Sequence, residues 1–318
     1  MHSHSIALVF RVAAVAASAI IFVGCPATPD RIRHTLEHDG RERGYLLYVP
    51  PALPPDQTVP LILALHPFAG TGDSFAITTG FDLIAREEGF IVCYPEGVSF
   101  LWNGDPTDES GKQLLVEDAD DVGFIGALLD HLLAEYPIDP ARVYVCGASN
   151  GGLMAQRLAC ELSDRFAAAA SVMITLPEGF DNACAPESPI PMLILFGTED
   201  PFFPWEGGAV QQGPANARTY LSAREAIGYW VESNRAVSPP NIMLWPDADP
   251  NDGTRVLVER YRAGQDGAPV HFYRIHGGGH TWPGSAPSWI ETPAGVGRTS
   301  RDIDASRAIW EFFALHSR

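Results

Sequence analysis

The sequence predicts an α/β fold, a mainly parallel, doubly wound sheet with helices on both faces, and three observations carry that prediction. Short apolar runs of strand length recur along the chain and alternate with segments whose apolar residues fall at helical spacing. The runs are continuously apolar rather than alternating, as strands buried on both faces of a parallel sheet require. The chain has 318 residues, 46% of them hydrophobic, enough to bury one large core within a single domain. In such a fold the functional loops lie at the carboxyl ends of the strands.

The amino terminus stands apart from that pattern. Residues 2–11 carry one firm positive charge, Arg11, and residues 12–23 form a short run of apolar and small side chains. That run is too short to span a bilayer comfortably and suits the core of an export signal. It ends in Phe22-Val23-Gly24-Cys25, followed by Pro26 and Thr28-Pro29. A small residue and then cysteine resembles a bacterial lipoprotein signal, in which Cys25 becomes the lipidated first residue. Phe22 stands where leucine is usual, so plain secretion is the alternative. The expected organisation is a signal over 1–25, a linker over 26–33 and one catalytic domain over 34–318.

A hairpin opens the domain: His34-Thr35-Leu36-Glu37 leads through Asp39-Gly40 into an apolar strand over 44–49. Residues 61–65 form the next strand, followed by a glycine-containing loop, a helix over 81–88 and a strand over 90–94. A long irregular stretch covers 97–117. Asp120-Asp121 then caps a helix whose apolar face includes Val122, Ile125, Leu128, Leu129 and Leu132, closed by Pro137. A strand over 142–146 and a helix over 150–162 follow. Further strands are expected over 166–173, 191–196 and 270–275, and further helices over 221–232 and 304–315. The sequence shows no internal repeat and no second domain.

The formal net charge of −18 disfavours nucleic acid and charge-driven attachment to anionic lipid. Membrane association is expected only through a lipid on Cys25. Cys93 and Cys146 sit in apolar strands and read as packed core thiols, whereas Cys160 and Cys184, near a helix end and in a loop, are the better disulfide candidates. Cysteine and histidine spacing suggests no metal site, and no cofactor is expected.

The strongest local signal is Gly147-Ala148-Ser149-Asn150-Gly151, between a strand and a helix. A serine projecting above a sheet needs a sharp turn, and small residues two before and two after it allow one. Serine is a weak nucleophile and needs a base, which needs an orienting acid. Residues 194–196 end in Gly197-Thr198-Glu199-Asp200-Pro201, and residues 271–275 end in His276-Gly277-Gly278-Gly279-His280, so both appear in the required order. Asp200 is preferred to Glu199 because Asp before Pro suits a tight turn. His280 is preferred to His276 because three glycines give it a free loop. The oxyanion donors are expected to be the Asn150 N–H and, from the loop His66-Pro67-Phe68-Ala69-Gly70, the Phe68 N–H, with Ala69 as the alternative. Trp102, Phe202, Phe203, Trp205 and Trp282 lie in loops expected near the site and are candidates for an apolar acyl pocket.

Taken together, these residues resemble the polyhydroxybutyrate depolymerase and feruloyl esterase group of α/β-hydrolases (carbohydrate esterase family 1 and the esterase-PHB family). The matching segments run from Arg43-Gly44-Tyr45 through Leu65-His66, Tyr94-Pro95-Glu96-Gly97, Trp102-Asn103 and Asp120 to Phe124. They continue through the serine motif and Gly197 to Pro201, and end at Gly278-Gly279-His280-Thr281-Trp282-Pro283-Gly284. The resemblance implies the α/β-hydrolase fold, Ser149 as nucleophile, His280 as base, Asp200 as acid and a Cys160–Cys184 disulfide. Pro67 departs from the glycine usual in that loop, so substrate preference is not carried over with it.

The expected activity is therefore serine carboxylic-ester hydrolysis, on feruloyl or acetyl esters of plant polysaccharide or on short 3-hydroxybutyrate polyesters. Two rivals remain at this point: a serine peptidase of prolyl-oligopeptidase type, and a non-catalytic envelope binding protein on a hydrolase scaffold.

Overall fold

A computed structural model describes residues 30–54, 56–107, 119–211, 217–286 and 295–318. The expected signal and Cys25 lie outside these residues. The first hairpin is β1 (Ile32–His38) and β2 (Arg41–Tyr48), so the sheet begins two residues inside the expected linker. Then come β3 (Val59–Leu65), α1 (Gly72–Thr79), α2 (Phe81–Glu88), β4 (Ile91–Pro95) and α3 (Asp121–Glu135). The middle of the chain forms β5 (Ile138–Ala148), α4 (Asn150–Glu161), β6 (Ala168–Val172), the short α5 (Phe180–Ala183) and β7 (Met192–Gly197). A small hairpin, β8 (Gly208–Gln211) and β9 (Ala217–Tyr220), precedes α6 (Ala223–Ser233). The chain closes with β10 (Ala236–Leu244), β11 (Arg255–Ala263), β12 (Val270–His276) and α7 (Ala305–Phe313).

Ten strands form one sheet in the order β1-β2-β4-β3-β5-β6-β7-β12-β11-β10. The six central strands, from β4 to β12, run parallel, and the two strands at either end are antiparallel additions. Side chains on the central strands divide between two cores. Leu61, Leu63 and Leu65 of β3 and Val143 and Val145 of β5 meet α3, α4 and α6 on one face. Ile62 and Ala64, with Tyr144 and Cys146, meet α1, α2 and α7 on the other. Both faces are thus covered, which is why these strands read as unbroken apolar runs.

Several elements differ from expectation. Residues 72–79 form a helix where a loop was expected, started by a capping box in which Thr71 and Ser74 exchange side-chain and backbone hydrogen bonds. β10 was hidden by Pro239-Pro240, which deny the ladder two N–H groups, but an edge strand tolerates that loss. β11 and the β8-β9 hairpin were also not anticipated. Asp120 caps α3 as expected, whereas Asp121 does not share the cap: it is buried and paired with Arg43 at 2.6 Å.

Candidate active site

Ser149 sits at the tip of β5, one residue before α4, with φ 52° and ψ −120°. A positive φ is strained for any residue with a side chain and marks a position that its surroundings enforce. Serine at a helix N-cap normally spends its hydroxyl on the first turn, but this one makes no capping bond. Its N–H is held by the Val172 carbonyl at 2.8 Å. The flanking glycines are obligatory. A Cβ on Gly147 would lie 2.1 Å from the Gly151 carbonyl oxygen, and one on Gly151 would lie 2.3 Å from the Leu65 carbonyl oxygen.

Asp200 follows β7 and His280 follows β12, and these strands are parallel neighbours in the sheet. The two side chains meet directly, with His280 Nδ1 2.7 Å from Asp200 Oδ2. A carboxylate only accepts, so Nδ1 donates to Asp200, and Nε2 is not engaged in that bond. The other carboxylate oxygen accepts the N–H groups of Phe202 at 2.8 Å and Phe203 at 3.0 Å, which fixes the plane of the group. The Phe203 ring stacks against His280 at 5.6 Å and the Phe202 ring meets it edge-on at 5.1 Å. The backbone around His280 is held by residues 296–298: His280 N–H donates to Val296 at 2.6 Å and Gly279 N–H to Arg298 at 2.9 Å. The alternatives lie elsewhere. Glu199 is exposed and pairs with Arg298 at 2.7 Å, and His276 is exposed at the strand end.

The loop after β3 is built around His66, which is fully buried. Its Nε2 accepts the Gly97 N–H at 3.0 Å, so its Nδ1 must donate, and it does so to the Pro67 carbonyl at 2.8 Å. Burial pushes the His66 pKa below the usual imidazole value, which fits a neutral ring in that tautomer. The Pro67 carbonyl also accepts the Gly70 N–H at 2.9 Å. Both of its lone pairs are therefore occupied and the peptide plane from Pro67 to Phe68 is set. In a trans peptide the N–H points opposite the C=O, so the direction of the Phe68 N–H is fixed too. Ala69, the alternative donor, already gives its N–H to Phe100 at 3.0 Å.

The aromatic candidates separate into two groups. Phe68, Phe100 and Phe202 are about half exposed, at 52%, 54% and 50%, and come from three different loops at the carboxyl edge of the parallel strands. Trp102 and Trp282 are buried and do not line an open pocket. Each indole is consumed by packing and a hydrogen bond, Trp102 Nε1 to the His66 carbonyl at 3.1 Å and Trp282 Nε1 to Ser306 Oγ at 3.0 Å. Trp205 is half-buried and stacked between Phe196 and Phe272, each at 5.9 Å. Phe100 was missed in the sequence because it falls within the irregular stretch. Its only signal was proximity to Trp102.

Cys160 and Cys184 are bonded, with their Cα atoms 5.6 Å apart, and the Tyr229 hydroxyl donates to the Cys184 carbonyl at 2.8 Å. Cys93 and Cys146 are buried free thiols. Among the described residues, no group of three or more His, Cys, Asp or Glu side chains converges to hold a metal ion.

Residues 43–181 match the family described as Esterase PHB depolymerase. NocK of Nocardia uniformis subsp. tsuyamanensis, which carries the name of an esterase, is 33% identical over 285 residues, spanning 86% of this chain and 79% of that protein. Feruloyl esterase C of Emericella nidulans is 28% identical over 297 residues, spanning 91% and 90%. Other curated relatives are longer, and the chain spans less than half the length of some of them. Among solved structures, an acetyl xylan esterase from Aspergillus awamori aligns with a TM-score of 0.59 at 17% identity, covering 89% of this chain and 99% of that one. The fold is that of the α/β-hydrolases, and the class is carboxylic ester hydrolase. Within that class, the chain belongs to the Esterase PHB depolymerase family.

Proposed function

We propose that this protein is a serine esterase that cleaves aromatic acyl esters, of feruloyl type, from carbohydrate alcohols through an acyl-enzyme on Ser149. The observation that carries the aromatic preference is the set of half-exposed phenylalanines, Phe68, Phe100 and Phe202, at the strand edge that bears Ser149, Asp200 and His280. A planar aryl group can stack on or edge against such rings. The feruloyl esterase name of a relative spanned almost end to end favours the same substrate class. Short 3-hydroxybutyrate polyesters are the competing reading, favoured by the family description.

In this mechanism Ser149 Oγ attacks the ester carbonyl while His280 Nε2 takes its proton. The imidazolium keeps its Nδ1–H on Asp200, whose carboxylate stays ionised throughout. The oxyanion receives the Asn150 N–H, one of the unsatisfied first-turn donors of α4, and the Phe68 N–H. Collapse of the tetrahedral adduct breaks the bond to the alkoxy oxygen, which leaves with the proton from His280. Water then attacks the acyl-enzyme, giving one proton to His280, and the acid departs as that proton returns to Ser149.

We also propose export, with the apolar run over 12–23 as the signal core and Cys25 as the lipid acceptor where an anchor is attached. The test of the catalytic reading is acid release from methyl ferulate and from a 3-hydroxybutyrate oligomer by the purified protein, with Ser149→Ala as control. Faster release from ferulate, abolished in the variant, supports the proposal. Faster release from the oligomer transfers it to polyester turnover, and full activity in Ser149→Ala ends the serine mechanism.

A further inference from the structure

We propose that Trp102 is a positioning residue that locks the two oxyanion donors to one another. The inference rests on the assignment above of Phe68 and Asn150 as those donors and goes beyond it by naming what holds them in register. Phe68 belongs to the loop after β3 and Asn150 to the first turn of α4, and these segments are far apart in sequence. They touch in space: a Cβ on Gly151 would lie 2.4 Å from the His66 carbonyl oxygen.

Trp102 spans the contact. Its indole Nε1–H donates to the His66 carbonyl at 3.1 Å, which orients the first peptide of the Phe68 loop. Its backbone is clasped by the Asn150 side chain. The Trp102 N–H donates to Asn150 Oδ1 at 2.7 Å, and Asn150 Nδ2 donates back to the Trp102 carbonyl at 2.9 Å. One residue therefore bonds to the loop that presents the first donor and to the residue that presents the second. The ring packs 5.1 Å from the His66 imidazole, and both are fully buried, while Asn150 is half-buried.

Trp102 is itself anchored through its neighbour. The Asn103 N–H donates to Asp121 Oδ2 at 2.7 Å, and the Asn103 carbonyl accepts from Arg157 at 2.8 Å. Asp121 is the buried partner of Arg43. Buried networks with every member bonded hold one geometry, which an oxyanion site needs before substrate arrives.

A role confined to donor alignment acts on the tetrahedral state and leaves ground-state binding alone. The experiment compares wild-type, Trp102→Phe, Asn150→Ala and their double variant as full-length folded proteins, with Ser149→Ala as control. Trp102→Phe removes the indole N–H and keeps the ring. Asn150→Ala releases the clasp and keeps the backbone donor. The expected result for each single variant is a kcat lowered roughly tenfold to a hundredfold, with KM within about twofold. Inhibition by an arylboronic acid, which becomes tetrahedral on the serine oxygen, weakens by the same factor as kcat falls. The double variant falls little below the worse single one, because both bonds serve one brace.

A wild-type kcat in either single variant overturns the proposal, as does a loss carried by KM with boronate affinity unchanged. Where Trp102→Phe does not fold, Asn150→Ala decides alone. Activity in Ser149→Ala would instead sink the catalytic reading itself, an outcome separate from failure of the brace.

Discussion

Breaking the Cys160–Cys184 bond should weaken the fold and leave the chemistry intact. The bond closes a loop with a sequence separation of 24. In the chain-entropy treatment, a loop of that size removes about 3.4 kcal/mol of unfolded-state freedom at 25 °C. For a chain of this size, with an unfolding entropy near 2.1 cal/mol/K per residue, that is a fall in Tm of about 5 °C. Cys160 lies near the carboxyl end of α4, and Ser149 precedes its amino end. At 1.5 Å per residue the two are roughly 15 Å apart along the axis. The assay is thermal unfolding of the double variant Cys160→Ser/Cys184→Ser beside wild-type without reductant, with kcat measured at 25 °C. A melting temperature within about 1 °C of wild-type would refute the entropic argument. A kcat reduced tenfold at 25 °C would refute the claim that the far end of α4 is insulated from its first turn.

Asp200→Asn should lower kcat by roughly a thousandfold or more, because an amide that donates to Nδ1 favours the wrong imidazole tautomer. Glu199→Gln should leave kcat within about twofold, since that side chain is exposed on Arg298, and equal losses in the two variants would reverse the assignment. Stability should decline on acidification. Burial, with smaller contributions from Arg260 and His316, pushes the His271 pKa down to about 4. The unfolded imidazole protonates near 6.5 while the folded one stays neutral, so stability is lost as pH falls from about 6.5 to about 4, by up to about 3 kcal/mol. Buried His66 and half-buried His316 act in the same direction. Urea midpoints at pH 7.5 and 4.5 test this, and a decline undiminished in His271→Gln would show that His271 is not its source.

What could be read in the sequence was whatever depends on local pattern. The serine turn was legible because strand, glycines and helix are contiguous, and the candidate acid and base because each follows an apolar run. Turn chemistry favoured Asp200 over Glu199 and His280 over His276, and Asp200 and His280 are the two side chains that meet in the fold. The aromatics were not legible in the same way. An indole in a loop reads identically whether it faces solvent or is sealed beneath the loop, and Trp102 and Trp282 are sealed. The Arg43–Asp121 pair joins residues 78 positions apart, and no local rule connects them. β10 failed for a related reason, since Pro239-Pro240 argues against a strand unless the strand is known to lie at an edge.

The turn from Asp200 to Phe203 has a consequence for changing what this enzyme accepts. One carboxylate oxygen holds the His280 imidazole, and the other is tied to the backbone of the two residues whose rings flank that imidazole. Those bonds go to main-chain N–H groups, so they survive any replacement of Phe202 or Phe203 other than by proline. Ring identity can therefore drift while the Asp200–His280 bond stays aimed. Lengthening or shortening the same turn by a single residue would disturb both together. Under the proposed function, selectivity at this corner is open to exchange of side chains and closed to change of loop length.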